Sequence, residues 1–396
     1  IFLFRRDFTE LTQMSDEQLP DVAPGKYVPY GIRPYYLPDD LPPDPEVDIG
    51  SEFQEVLQDA IYQLGQLQGI STETNVSPIV YTSLVRREAV ESVLVEGADI
   101  EFEDMFRPDE VGSGSTTTKD VQEAINYERA IRDGAERVAE IGEITLELLK
   151  DLHGTLLDGV RDEGEQLGQF RLNPVHIPPP EPHRSPFVPP GPEKIRPLMQ
   201  NLERYIERGG PYHDLIDLGI VHYQFETIHP FGDGNGRLGR MLITLQLIRQ
   251  GYLSKPFLYP SAYFNEHKAE YVTKMRAVSE EGAWEPWLRF FVAGIRQQAA
   301  DAVTRTERLR DVRREYERRY GDGKTAADRL AMRLFQQPYV TTHDVQELLG
   351  VSRQTARNAL LELEAADVLD ETTGKERYQE FRAVDIFEIL TDSFDQ

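Results

Sequence analysis

The sequence predicts a mainly α-helical protein: a helical bundle broken once by a small β-hairpin flap and followed by a C-terminal winged-helix domain. Three observations predict it. Apolar residues recur at helical spacing through most of the 396 residues, the pattern that builds one buried helix face. A single proline-dense stretch, 173–192, interrupts that periodicity. After about residue 326 the pattern becomes short helix, turn, helix and two short β-type runs, the order of a winged helix-turn-helix.

Residues 1–50 are rich in Pro, Asp and Tyr and are expected to form an extended arm wrapped on a neighbouring surface. Helical spacing starts near Phe53, with Val56, Leu57, Ile61 and Leu64 on one face. A second helix is expected over about 78–97 and ends at Gly97, the residue type found just past a helix C-terminus. Gly112-Ser113-Gly114-Ser115 reads as a flexible connection, closing an N-terminal helical region over 51–120. Helices are then expected over 121–141 and 144–157. Prolines in 173–192 bar a central strand, so Val175–Ile177 and Phe187-Val188 are read as the sides of an exposed hairpin with free edges. A helix follows over 193–207. The next, 214–227, is apolar nearly all round and belongs at the centre of a bundle. Gly232–Gly236 interrupts it before Leu238, Met241, Leu242 and Leu245 resume the helical spacing. A long helix over 286–320 is apolar first and charged later; residues 301–325 are read as a linker helix into a domain over 326–396. There, Ser352 is placed as the N-cap of a helix over 353–365.

Composition excludes several classes. There are 43 Lys+Arg against 69 Asp+Glu, a formal net charge of −26, so a nucleic-acid-coating role is disfavoured. Only nine of the basic residues are lysine, and excess carboxylate with little lysine keeps a surface hydrated in concentrated salt; a halophilic cytoplasm is expected. Without cysteine there is no disulfide, thiolate metal site or cysteine nucleophile. No apolar run reaches the ~20 residues a bilayer requires, and Ile1–Phe4, followed by Arg5-Arg6, is shorter than a signal-peptide core. A cytoplasmic location with no membrane partner is expected.

The chemistry is concentrated in His229-Pro230-Phe231-Gly232-Asp233-Gly234-Asn235-Gly236-Arg237-Leu238-Gly239-Arg240. Three glycines opening onto a helix N-terminus present backbone N–H groups and the positive end of a helix dipole, which together form an anion nest. Asn235 can add an amide donor. Arg237 and Arg240 lie three apart on the first helical turns, and two guanidinium forks beside a nest suit a polyphosphate. Asp233 is the hard carboxylate Mg²⁺ prefers when it also bridges phosphate oxygens. His229, at the loop mouth, has a side chain suited to taking a proton from a hydroxyl. Phe231 is read as a core anchor. A plain glycine-rich helix junction would account for a shorter motif but not for base, metal ligand, nest and two arginines in twelve consecutive residues.

This segment resembles the H-x-F-x-[D/E]-G-N-G-R-x-x-R signature of the Fic (filamentation induced by cAMP) family, with every signature position matched. The resemblance extends over roughly 25–300. It implies an all-α Fic core, placed at 121–300, that transfers AMP from Mg-bound ATP to a protein hydroxyl. It also implies His229 as general base, Asp233 as Mg²⁺ ligand, Gly234, Asn235 and Gly236 on the α- and β-phosphates, and Arg237 and Arg240 on the β/γ end. The 173–192 hairpin is similar to the family's flap, which clamps a target protein by strand addition beside a Tyr, Ser or Thr hydroxyl. Self-modification and a homodimer are further expectations of the resemblance. The family's downstream Tyr-Tyr pair appears as Tyr271-Val272, leaving Tyr271 for the nucleoside pocket.

A second motif, Ser92-Val93-Leu94-Val95-Glu96-Gly97, resembles the family's inhibitory-helix pattern [S/T]-x-x-x-E-[G/N]. Ser92 and Glu96 share one helix face, and the resemblance implies that Glu96 reaches Arg240 and takes the place of the γ-phosphate. The leading expectation is an auto-inhibited protein adenylyltransferase. One alternative uses Glu96 to orient water for removing AMP from a modified target. Another is a nucleotide-sensing transcriptional regulator acting through 326–396. In that domain Arg353, Gln354, Arg357 and Asn358 could contact DNA, whereas the local charge of seven Lys+Arg against fourteen Asp+Glu over 325–396 suits a protein contact equally well. His222 and Tyr223 are read as core residues, and His176 and His183 are assigned no role.

Overall fold

The structure is a computed structural model. It describes residues 19–30, 34–44, 46–72, 78–106, 118–160, 167–178, 186–375 and 377–392. The start of the expected arm, the Gly112–Ser115 connection and the tip of the hairpin around His183 lie outside the described residues.

The architecture is mainly helical, as the periodicity predicts. Its centre is α6 (Asp214–Ile228), buried on every side because its sequence offers no polar face to water. Several of the polar groups at its surface are paired. Tyr223 shares a hydrogen bond of 2.8 Å with Ser279, and Trp287 donates its indole N–H to the Gly219 carbonyl at 3.1 Å. Around it pack α5 (Pro192–Arg208), α7 (Asn235–Arg249) and α10 (Trp284–Tyr320). Helix α3 (Lys119–Ile141) starts on the Thr118 side chain and ends at Gly142, whose left-handed backbone is the glycine-specific way to stop a helix. It lies between α2 (Pro78–Val95), α4 (Leu146–Leu156) and α7. Helix α1 (Ser51–Thr72) runs along α10. Two short helices, α8 (Pro260–Glu266) and α9 (Lys268–Glu281), complete this body.

Part of the arm is more ordered than an extended strand. β1 (Gly25–Val28) and β2 (Tyr35–Pro38) pair antiparallel, with Lys26 opposite Leu37. The segment that follows is fastened to the bundle through Asn201, which bonds both polar groups of Leu41. Backbone of the arm also meets the proline-dense hairpin, where Tyr36 N–H donates to the Val188 carbonyl at 2.8 Å. Among the described residues the two sides of the hairpin are joined by one antiparallel bridge, Ile177 to Phe187. Its prolines remove the donors a longer ladder would need.

α10 runs unbroken for 37 residues, so residues 301–320 are the second half of a helix that also belongs to the bundle. Its charge conceals a buried stripe, Arg305, Thr306, Leu309 and Tyr316, on which the C-terminal domain sits. That domain has α11 (Ala326–Arg333), α12 (Thr342–Leu349), α13 (Arg353–Ala365) and α14 (Val384–Thr391). Its three-stranded sheet has β5 (Glu380–Ala383) between β3 (Tyr339–Thr341) and β4 (Leu369–Glu371). Strand β3 and helix α14 were not expected; three residues are too few to show a period of two. α11 and α12 each open on a capping box, Thr325 with Asp328 and Thr341 with Asp344. The turn before α13 uses a left-handed Gly350 and Ser352 as N-cap, as expected.

The docking of this domain depends on Arg305. Its guanidinium is buried, pairs with Asp301 at 2.9 Å and donates to the carbonyls of Ile389 and Asp392. Arg305→Met should strand those carbonyls and lower unfolding free energy by about 3 kcal/mol, the usual loss when one partner leaves a buried pair. Denaturant titration followed at the two domains measures it; a loss under about 0.5 kcal/mol would contradict this account.

Candidate active site

The motif forms the turn between α6 and α7. His229 caps α6 in a left-handed conformation (φ 49°, ψ 63°), unusual for a residue with a Cβ. Gly234 (φ 75°) turns the chain into α7, so the first N–H groups of that helix face the loop mouth without intrahelical partners. Asn235 departs from the expectation for its side chain. It accepts from Phe231 N–H at 2.8 Å and donates to the Phe231 carbonyl at 3.0 Å, so the amide staples the loop and only its backbone N–H lies in the nest. Phe231 is fully buried and stacks on His153 with centroids 3.9 Å apart.

Arg240 is buried on α7. It donates to Ser92 Oγ at 3.0 Å, to the Ser92 carbonyl at 2.7 Å and to Glu96 Oε1 at 2.7 Å. Ser92 lies in α2, and Glu96 follows its last turn, where Gly97 (φ 92°) ends the helix. The Glu96 carboxylate rests over Gly236; a Cβ at that position would collide with it. Burial alone would raise the Glu96 carboxyl, but the neighbouring Arg240 guanidinium more than offsets that and holds it below its usual range. An anionic oxygen therefore occupies the N-terminus of α7.

Arg237 is also buried and donates to Glu123 of α3 at 2.6 Å. Asp233, part-exposed at the mouth, lies 3.6 Å from Arg237 and accepts from Gly234 N–H at 2.7 Å. The His229 ring is half-buried, with Nδ1 in a dry position that has no hydrogen-bond partner. Burial, reinforced by the Arg171 charge, lowers its pKa to about 4, so the ring is neutral at ordinary pH.

The structure places Tyr271 in the core. It is 4% exposed, donates its hydroxyl to His222 Nε2 at 2.7 Å and packs against Phe264 and Trp287. The His222 Nδ1 faces the Gly239 carbonyl, which can only accept; Nδ1 therefore carries the proton and Nε2 is the acceptor. Tyr271 thus belongs to the aromatic core beneath Arg240 rather than to an open nucleoside surface. His222 and Tyr223 are core residues, as read from the sequence.

Five buried groups were missed. Glu123 partners Arg237. His153 accepts from Gly168 N–H at Nδ1 and so donates from Nε2 to the Asp233 carbonyl at 2.9 Å; burial lowers its pKa to about 4. Glu88 on α2 accepts from Tyr127 and from both polar groups of Ser261, and burial raises it to about 7. Glu226 has a dry Oε1 without a partner and is raised by burial to about 8, although Arg240 draws it down. Arg171 bonds four backbone carbonyls. None of these has a spacing signal; only Glu226, three residues before His229, lies beside the motif.

Residues 143–247 match the Fic/DOC family, 54–136 match the Fic/DOC family N-terminal region, and 327–379 match the DeoR-like helix-turn-helix domain. The chain therefore carries a Fic domain with the family's N-terminal region, joined to a C-terminal helix-turn-helix domain. It is similar to the proteins named protein adenylyltransferase Fic in Drosophila ananassae and Drosophila virilis, at 34% identity over 151 residues in each. Those alignments cover 37% of this chain and 27% and 28% of the two relatives, so the chain spans about a quarter of the length of the curated relatives it matches. Among solved structures, a Fic family protein from Desulfovibrio desulfuricans superposes with a TM-score of 0.54 at 21% identity, covering 86% of this chain and 98% of that one. A Fic domain containing signaling protein from Bacteroides thetaiotaomicron gives 0.52 at 18% identity, covering 63% and 95%. These likenesses establish the fold.

The buried carboxyl at Glu226 has a measurable consequence. The folded chain keeps its proton to about pH 8, whereas the unfolded chain releases it near the ordinary value of 4.5. Between these limits the folded state binds one more proton, so stability falls as pH rises, by up to about 1.4 kcal/mol per pH unit. Glu226→Gln should remove that slope in denaturant midpoints taken from pH 5 to about 8. Identical slopes in both proteins would contradict a protonated Glu226.

Proposed function

We propose that this chain is an auto-inhibited protein adenylyltransferase that moves AMP from ATP onto a hydroxyl of a target protein. The observation that carries the reading is the Glu96 carboxylate on the N-terminus of α7, bonded to Arg240 at 2.7 Å. A carboxylate and a phosphate compete for the same fork and the same helix terminus. Similarity to proteins named adenylyltransferases supports AMP as the transferred group.

In this reading the nest at Gly234–Gly236 holds the α- and β-phosphates, and Arg240 takes the γ-phosphate once Glu96 leaves. The target hydroxyl attacks the α-phosphorus, a new P–O bond forms, the bond to the β-phosphate oxygen breaks, and pyrophosphate departs. The hydroxyl proton passes to His229, whose neutral ring has Nε2 as the edge available to accept it, since Nδ1 is buried. The donor set fits Mg²⁺ in one way. Among the described residues no three or more His, Asp or Glu gather to hold an ion unaided, while Asp233 offers a hard, part-exposed carboxylate beside the nest. Phosphate oxygens would complete the shell, the usual mode for a nucleotide-bound Mg²⁺, and the ion would neutralise charge on the leaving pyrophosphate.

The hairpin flank Val175–Ile177, with His176 exposed and its two neighbours half-buried, supports docking of an extended target segment by strand addition. The C-terminal domain supports a second role. Arg353, Gln354, Arg357 and Asn358 all face solvent on α13 behind the Ser352 cap, the arrangement a duplex groove would meet. If they meet DNA, replacing Arg353 and Arg357 by Gln should reduce the salt slope of binding to a labelled mixed-sequence duplex by about 2. An unchanged slope would make α13 a protein contact.

Glu96→Gly should raise transfer of labelled AMP, self-modification included, by about tenfold or more, since one charge-assisted bond of about 1.5–3 kcal/mol no longer opposes the phosphate. Adding His229→Ala should lower it by about 10²–10⁴. A Glu96→Gly protein that labels neither itself nor any lysate protein in the presence of Mg²⁺ would sink the reading. One that loses the ability to strip AMP from a modified target would favour removal instead.

A further inference from the structure

We infer that Arg171 is a positioning residue that locks the two feet of the proline-dense flap and the backbone of His229 into one unit, holding a docked target segment in register with the base. The inference rests on the adenylyl-transfer reading for its functional half.

The geometry is unusually one-sided. The Arg171 side chain is 5% exposed, and every hydrogen bond it makes goes to backbone carbonyls. Nη1 donates to Asn173 at 3.1 Å, on one foot of the flap; Nη2 donates to Pro190 at 2.6 Å, on the other. Nε donates to His229 at 2.8 Å, and Nη2 also reaches Ile228 at 3.4 Å. Its own N–H donates to Pro230 at 2.9 Å. Three chain segments distant in sequence thus converge on one planar fork.

Both ends of this clamp need it. Among the described residues of the flap one bridge joins its two sides, in which Ile177 and Phe187 exchange bonds of 2.8 and 3.0 Å, and prolines on both sides remove donors that could add to it. His229 has a left-handed backbone, which costs a residue with a Cβ roughly 1–2 kcal/mol. The carbonyl of that same residue accepts from Arg171 Nε–H, so one side chain supports both the strained backbone and the flap. A buried cation with only carbonyl partners is costly, and a purely structural link between these segments would be met by apolar packing.

The test uses full-length Glu96→Gly protein with Arg171→Gln and, separately, Arg171→Lys, which keeps the charge but lacks the planar fork. Amide exchange at Ile177 and Phe187 should accelerate by about tenfold or more in both variants, the mark of a local opening. ATP affinity by equilibrium dialysis should stay within about twofold while the self-labelling rate falls about tenfold or more, a split between binding and transfer. Unchanged flap exchange would overturn the inference. So would full activity in the Lys variant, which would reduce the role to charge, or equal loss of ATP binding and of protection at distant Leu363, which would reduce it to general stability. If the Glu96→Gly parent labels nothing, the transfer reading falls, and flap exchange still decides whether the clamp exists.

Discussion

One guanidinium organises the molecule around the motif. Arg240 is a buried cation, and a buried cation is tolerable only where acceptors are fixed in advance. Here they come from outside its own helix, as the side chain and carbonyl of Ser92 and the carboxylate of Glu96. A buried ion pair roughly breaks even against desolvation, and this one is wet on one side, since the Glu96 side chain is 46% exposed. Ser92 gives Arg240 two partners that stay whichever anion is present. Glu96 is therefore the replaceable member of the set, held by one bond and by the α7 dipole. That asymmetry gives a contact fit for exchange rather than for permanent stabilisation.

The groups behind Arg240 are arranged so that none competes with that exchange. Glu226 lies within its field, yet burial keeps a proton on it to about pH 8 and removes a second negative charge. His222, Tyr271 and His153 are all buried and neutral, and each polar atom they use meets a fixed partner. Asn235 and His153 hold the loop backbone from two sides, through Phe231 and through the Asp233 carbonyl. The loop backbone is thus shaped by neutral hydrogen bonds, and the strong fields around the nest are those of the helix terminus, the two arginines and the carboxylates they pair with, Glu96, Glu123 and Asp233. Such an environment keeps electrostatic terms large because no mobile charge screens them.

The contiguous part of the site was legible because a loop on a helix N-terminus is a local structure, and its chemistry can be read from twelve consecutive residues. Ser92 and Glu96 were legible for the same reason, being one helical turn apart. Arg171, Glu123, His153 and Glu88 act through tertiary contacts of 15 to 173 residues in separation, and no local period carries that information. The burial of Tyr271 was not legible, because a tyrosine's position in sequence does not say whether its ring lines a surface or fills a core; here Trp287 and Phe264 pack on it. The central helices were read to within a few residues because α6 is a helix-length run that is apolar nearly all round and α7 resumes the i, i+3, i+4, i+7 spacing straight after the glycine loop. Strand β3 was invisible because three residues on a sheet edge are defined by the partner, β5, rather than by themselves.

The same distinction bears on how the two domains meet. α2, which leads to Glu96, has one face on Tyr127 and Ser261 through Glu88. Its other face reaches the C-terminal domain, where Arg87 donates to the Leu390 carbonyl at 2.8 Å. Just beyond Glu96, a 3-10 turn at Phe102–Met105 lies against the same domain: Phe102 packs on Phe387, and Glu103 pairs with Arg382 at 2.8 Å. The helix that leads to Glu96 therefore has contacts on both the bundle and the C-terminal domain, and neither half of the chain alone supplies all of them. The net charge of −26 fits this division, because the cations at the motif and at the interface between the domains, Arg171, Arg237, Arg240 and Arg305, are buried and contribute nothing to the acidic exterior.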